Sequence, residues 1–167
     1  NEEGAEKLVQ AVEALWDVGI VVVTAAGNYG PRPGSITSPG ISKKVITVGS
    51  CDDQFYMEEG KKKRKSYSGR GPTAECVVKP DLLAPGSYIT SCNARYREKG
   101  QKPYTMKSGT SMSTPVVSGA IALLLSKYPD MSNVEVKLRL RESSIDIGRP
   151  QNEQGWGLLN VEKLLKE

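Results

Sequence analysis

The sequence predicts an α/β fold built around a small parallel sheet, and three observations carry that reading. Residues 20–23 are an unbroken β-branched run, and residues 45–49 form a second short run of the same kind. Such runs mark strands buried on both faces. Amphipathic periodicity precedes the first run, and a longer apolar helical segment follows Pro115. Segments rich in glycine and proline separate these elements, which is the alternation expected of helices packed on a parallel sheet.

Leu8, Val12, Leu15 and Trp16 fall at helical spacing, so residues 4–18 read as an amphipathic helix that Gly19 stops. Residues 20–23 form the first strand, which runs into Thr24, Ala25, Ala26, Gly27 and Asn28. Residues 45–49 give the second strand. Residues 51–72 read as a long polar excursion, and residues 79–84 as a third strand closed by the turn Ala84-Pro85-Gly86. Residues 89–91 and 104–107 are candidate antiparallel pieces. Residues 116–127 are apolar nearly all round and predict a buried helix, with Ser111 at or just before its first turn. Proline is tolerated in a helix's first turn, so Pro115 fits there. Ser132 and Glu135 match a capping box opening a helix to about Glu142. Residues 154–157 form a turn, and residues 161–166 a closing helix. Three parallel strands make a small sheet whose first strand has an open apolar edge, so the fold reads as cut in half.

The chain has 167 residues, 38% hydrophobic and 25% charged, which suits one globular unit. The net charge of +4 is concentrated in Lys61, Lys62, Lys63, Arg64 and Lys65. The rest is near neutral, which argues against a nucleic-acid face. That basic run reads as a solvated loop, with an acidic partner or a processing site as the sharper alternative. No apolar run reaches the roughly 20 residues that span a bilayer. Cys51, Cys76 and Cys92 show no Cys-x-x-Cys spacing and read as buried free thiols. There is no histidine. Most serine hydrolases use an imidazole as general base, and these residues cannot supply one.

Gly109, Thr110 and Ser111 stand at the mouth of the buried helix. A nucleophilic serine gains there from a free backbone N–H and from the positive end of the helix dipole. Gly109 lets the chain turn and a substrate approach. Asn28 follows a buried strand at its carboxyl end, where α/β sheets place their sites, and its amide is a candidate second donor. Taken alone, each feature has a plainer reading: a helix cap and a loop asparagine serving its own turn.

Thr24-Ala25-Ala26-Gly27-Asn28, Ala84-Pro85-Gly86 and Gly109-Thr110-Ser111-Met112-Ser113-Thr114-Pro115 together resemble, in order and rough spacing, the subtilisin-like serine proteases. Gly155-Trp156-Gly157-Leu158-Leu159-Asn160 resembles that family's ending. The resemblance covers residues 8–165. It implies a subtilisin-like three-layer fold with a parallel central sheet, of which this chain is the C-terminal half. It implies that Ser111 is the nucleophile and that Asn28 works with the Ser111 N–H as oxyanion hole. Ala25, Ala26 and Gly27 would wall the pocket for the substrate side chain, with Gly109 and Thr110 also against substrate. Pro39 would sit in a cis-proline turn. The carbonyls of Gly40, Ser42 and Val45 resemble a weak site for calcium or a monovalent cation, although no cofactor is required for the chemistry.

Two departures matter. Val116 stands where many family members have a histidine that is not the catalytic base. More important, nothing matches the family's catalytic Asp and His, which lie upstream of the oxyanion asparagine, and Asp17 is on the wrong element. The expectation is an endopeptidase fragment, inactive alone, acting on peptide or protein substrate once joined to the missing N-terminal half. A homo-oligomer through the open sheet edge is a further expected assembly; no nucleic acid and no membrane are expected as partners. Two other readings stand beside it: a pseudoprotease or interaction module, and a hydrolase using Lys107 as base. The family is mostly secreted, so an extracellular location is expected, with a cytoplasmic one as the alternative.

Overall fold

The computed structural model describes residues 2–53 and 66–166. The lysine-rich run at 61–65 lies outside the described residues. Among those described, the elements are α1 (Glu2–Asp17), β1 (Val23–Ala25), β2 (Ile46–Ser50), β3 (Leu82–Ala84), β4 (Ile89–Cys92), β5 (Tyr104–Lys107), α2 (Thr110–Lys127), α3 (Asn133–Ser143), α4 (Gln151–Gln154) and α5 (Val161–Leu165). The chain is α/β, with a three-stranded parallel sheet in the order β1-β2-β3 and an antiparallel hairpin of β4 and β5.

β2 is buried at every position and is the centre of the sheet. Its Val48 pairs with Ala25 on one side and with Leu82 on the other. The outer side of β3 is covered by the C-terminal segment: Leu83 donates to Gly157 O at 2.8 Å, and Leu159 N–H donates back to Leu83 O at 2.8 Å. Among the described residues β1 pairs only with β2, so its other edge is open, as the sequence predicts. α2 packs across β1 and β2 through Val117, Ala120, Ile121 and Leu124. Burying each of the larger of these side chains contributes about 1.5–3 kcal/mol.

Several boundaries differ from expectation for identifiable reasons. β1 begins at Val23 rather than Ile20, because Ile20 N–H still closes the end of α1 on Leu15 O at 3.1 Å. Gly19, at φ +92°, turns the chain there. β3 is shortened to Leu82–Ala84: Pro80 has no N–H for a ladder, and Lys79 and Asp81 face each other in a buried pair. α2 opens at Thr110, six residues before Val116, so Ser111 lies inside its first turn and Pro115 in its second. Proline there deprives the Ser111 carbonyl of its helical partner. The capping box of α3 is present: Glu135 N–H donates to Ser132 Oγ, and Ser132 N–H donates to Glu135 Oε2 at 2.7 Å.

The apolar face of α1 is divided. Trp16 is buried and Val12 packs on the core, whereas Leu8 and Leu15 are exposed at 46% and 45%. The cysteines also differ from expectation: all three are free, but Cys76 and Cys92 are exposed and Cys51 is half-buried. Cys76 lies in an irregular surface segment and Cys92 at the end of the exposed hairpin strand β4. No described helix is long and apolar enough to cross a membrane.

Candidate active site

Asn28 is delivered to the carboxyl end of the sheet by a pinned extension of β1. Ala26 N–H continues the ladder to Val48 O at 2.9 Å, and its carbonyl accepts Thr37 N–H at 3.0 Å. Gly27 follows at φ +94°, and a Cβ there would stand 2.4 Å from Thr37 Oγ1. Only glycine fits that position. Its carbonyl accepts Gly69 N–H at 2.8 Å.

α2 meets this extension from the other side. Thr110 is fully buried. Its N–H donates to Asn28 Oδ1 at 2.9 Å and its hydroxyl donates to the same oxygen at 3.1 Å. The hydroxyl also accepts Gly27 N–H at 3.1 Å. A backbone N–H can only donate, so the Asn28 atom facing it must be the carbonyl oxygen. That fixes the amide's orientation and leaves Nδ2 as its free donor. Nδ2 lies over Gly109, 3.1 Å from where a Cβ would be.

Ser111, the next residue after Thr110, is exposed on the first turn of α2. Gly109 provides no side-chain cap to that turn. Among the described residues no protein acceptor takes the Ser111 N–H or Asn28 Nδ2–H. The exposed Ser111 thus shares the positive end of an 18-residue helix with two uncommitted N–H donors, its own and Asn28 Nδ2 over neighbouring Gly109. Such a constellation can hold an oxyanion formed on the carbon that the hydroxyl attacks.

The floor beneath Gly109 is the Ala84-Pro85-Gly86 turn. Gly109 N–H donates to Gly86 O at 2.9 Å. A Cβ at Gly86 would lie 2.2 Å from Ser113 Oγ and 2.9 Å from Gly109 O. Asp52 fixes this turn by accepting the N–H groups of Gly86 at 2.8 Å and Ser87 at 3.0 Å. Ser50 Oγ donates to the same carboxylate oxygen at 2.8 Å, and Tyr67 Oη bridges Ser50 and Ser87. Burial pushes the Tyr67 phenol up from its ordinary value. Sequence reasoning misses this support; its one trace is an aspartate just after a buried strand.

Of the residues expected at the site, Ala25, Ala26, Gly27, Asn28, Gly109, Thr110 and Ser111 are brought to one end of the sheet. Lys107 lies exposed on the hairpin strand β5, at the edge of a cavity it lines with Ile89, Met112 and Val116. Asp17 is on α1, paired with Lys44 at 2.7 Å. Ser38–Pro39 is a cis peptide bond. The cation set does not fit a metal ion. Gly40 O accepts the Thr47 hydroxyl at 2.7 Å, and Val45 O accepts the ammonium groups of Lys79 at 3.0 Å and Lys137 at 3.2 Å. A metal ion beside Val45 would meet two positive charges. No cluster of three or more His, Cys, Asp or Glu suited to a metal occurs among the described residues.

The sequence pattern of the subtilase family matches residues 1–157. The chain belongs to the subtilase family. Serine protease AprX of Bacillus subtilis (strain 168) is 42% identical to this subtilase over 97% of the chain and 39% of the relative. Subtilisin DY of Bacillus licheniformis is 37% identical over 95% of the chain and 52% of the relative. The solved structure of the S41 psychrophilic protease superposes with a TM-score of 0.71 at 28% identity, covering 92% of the chain and 52% of that structure. The subtilase chain thus spans about half, or less, of the length of these relatives. The fold is subtilisin-like.

Proposed function

We propose that this subtilase chain is the nucleophile-bearing part of a serine endopeptidase catalytic domain, with Ser111 as nucleophile. The observation that carries the reading is the Thr110 clamp on Asn28. It turns the amide N–H over Gly109, two residues before the exposed Ser111.

In the proposed reaction Ser111 Oγ attacks the carbonyl carbon of a peptide bond. The Ser111 proton passes to a histidine supplied by a segment outside these 167 residues. The oxyanion is held by Asn28 Nδ2–H and Ser111 N–H. Collapse of the tetrahedral species expels the amine, which takes the proton from the imidazole, and leaves an acyl ester on Ser111. Water then hydrolyses that ester through a second oxyanion in the same hole. Ala25, Ala26 and Gly27 wall the substrate side-chain pocket, and Gly109 and Thr110 line the approach. No cofactor is needed. These residues alone are inactive, since triad members act as a unit and the base is missing.

Residues 1–167 form a single partial domain, and the segment carrying Asp and His docks on the open side of β1 to complete it. Exposed Ile20 and half-buried Val21 and Val22 beside that edge support this. Self-association through the same edge is the alternative fate of the unpaired chain. An extracellular location follows from the family reading. The test is hydrolysis of casein or a peptide amide by the chain joined to a subtilase N-terminal segment. Activity lost in Ser111→Ala supports the proposal; no Ser111-dependent hydrolysis overturns it and favours a peptide-binding module.

A further inference from the structure

Behind the substrate wall lies a cluster of buried charge that the proposed chemistry does not use. Lys79 is only 1% exposed, an unusual place for a lysine. Its Nζ donates to Asp81 Oδ2 at 2.6 Å and to Val45 O at 3.0 Å. Asp81 Oδ2 also accepts Thr47 N–H at 2.7 Å. Lys137 reaches in from α3, with Nζ 3.8 Å from Asp81 Oδ1. It donates to the carbonyls of Lys43 at 3.1 Å, Lys44 at 2.8 Å and Val45 at 3.2 Å. One carboxylate and a run of carbonyls are the oxygen ligands that a hard cation takes. Here ammonium groups provide the positive charge instead.

We propose that Lys79 is a built-in cation. Its ammonium takes the place of the structural metal ion that family resemblance implies for the loop of Gly40, Ser42 and Val45, and makes that loop independent of metal.

The loop's position gives this consequence for the site. Its start is tied to the wall by Thr37 N–H on Ala26 O. Gly40 packs so closely that a Cβ would lie 2.7 Å from Ala25 O. Its end runs into β2, where Ile46 pairs with Val23. A tether at Val45 therefore fixes the second end of the segment backing Ala25–Gly27, whose first end Thr37 already holds. A tethered lysine cannot dissociate, so chelators cannot loosen this wall. Lys79 is a positioning residue, and the inference stands whether or not Ser111 is the nucleophile.

The experiment reads melting and metal binding, not proteolysis. Wild type, Lys79→Gln, Lys79→Glu and Asp81→Asn are melted at constant ionic strength in EDTA, in potassium, and in about 10 mM calcium, above the dissociation constants of weak protein calcium sites. Both Lys79 variants should melt lower in EDTA and regain part of the loss with calcium or potassium, Lys79→Glu more than Lys79→Gln. Wild type should show no cation-dependent rise that Asp81→Asn abolishes. Equal destabilisation of the Lys79 variants with and without cations would overturn the proposal, as would an Asp81-dependent rise in wild type. Crystals of wild type soaked in thallium(I) decide the matter even if no variant folds. Absence of an anomalous peak at coordinating distance from Val45 O supports the built-in cation; a peak there contradicts it.

Discussion

Asn28 Oδ1 accepts both the N–H and the hydroxyl of Thr110, at 2.9 and 3.1 Å, across 82 residues of sequence. This pair joins the end of β1 to the start of α2 and decides which way the Asn28 amide faces. Replacing Asn28 by Ala removes the proposed oxyanion donor. In the assembled enzyme kcat should fall about 10²–10³-fold with KM little changed; that magnitude is the one known for losing this donor in subtilisin and is carried over from there. Asn28→Asp keeps the acceptor for Thr110 but presents an oxygen to the oxyanion, so it should be at least as inactive while melting closer to wild type. Steady-state kinetics and thermal melts of both variants check this.

Thr110→Val is nearly isosteric and tests the clamp itself. It removes the hydroxyl that accepts Gly27 N–H and donates to Asn28, while the Thr110 N–H remains. The orphaned Gly27 N–H should cost about 1–3 kcal/mol in urea unfolding. The amide gains freedom to rotate, so kcat should fall, but by less than in Asn28→Ala. Thr110→Ser should restore most of both.

Ser113 gives a prediction of opposite sign. Its Oγ is buried without a partner, pressed against Gly86. Ser113→Ala removes an unsatisfied hydroxyl and adds a better helix former, so it should stabilise the protein by up to about 1 kcal/mol. Gly86→Ala should do the reverse: its Cβ would press on Ser113 Oγ and on Gly109 O. Activity should drop, because Gly109 carries the turn that presents Ser111. Unfolding curves and kcat for the single variants and their combination measure both effects. The combined variant should recover only in part, since the clash with Gly109 O remains.

Much of this was legible in the chain and some was not. β2, the capping box of α3 and the small-residue segments at both halves of the site follow from local pattern, because burial on two faces and helix capping leave residue-type signatures. The start of β1 is not legible because the β-branched run 20–23 also ends α1, where the Ile20 N–H still closes the helix on Leu15 O. The length of α2 is not legible because Pro115 suggests a first turn, whereas packing of Thr110 against Asn28 carries the helix further back. The Thr110 clamp, the Asp52 support and the Lys79–Asp81 pair are contacts between distant segments, to which no local periodicity points.

Lys137 makes stability depend on pH. Burial pushes its ammonium down from 10.5 to about 8, against the opposing pull of Asp81 and with the push of neighbouring Lys79. Between those two values the unfolded chain holds more protons than the folded one. Stability therefore rises as pH climbs from about 8 toward 10.5, by up to about 3 kcal/mol from this group. Lys137→Met should remove the part of that rise due to Lys137, leaving a part of the same sign from Lys79, which burial also pushes down. The difference between the two proteins in urea midpoint across pH 7–10 isolates it from Tyr67 and Cys51, whose raised values act in the opposite direction.

In the proposed function Ser111 is a positioned nucleophile that lacks its base. The most direct measurement is the rate of labelling by a fluorophosphonate probe. It compares these 167 residues alone with the same residues joined to a subtilase segment that supplies Asp and His. Labelling that is fast in the joined protein, negligible in the chain alone and absent in Ser111→Ala is the predicted result. Labelling of the chain alone as fast as the joined protein, or of the joined protein at a residue other than Ser111, would contradict it.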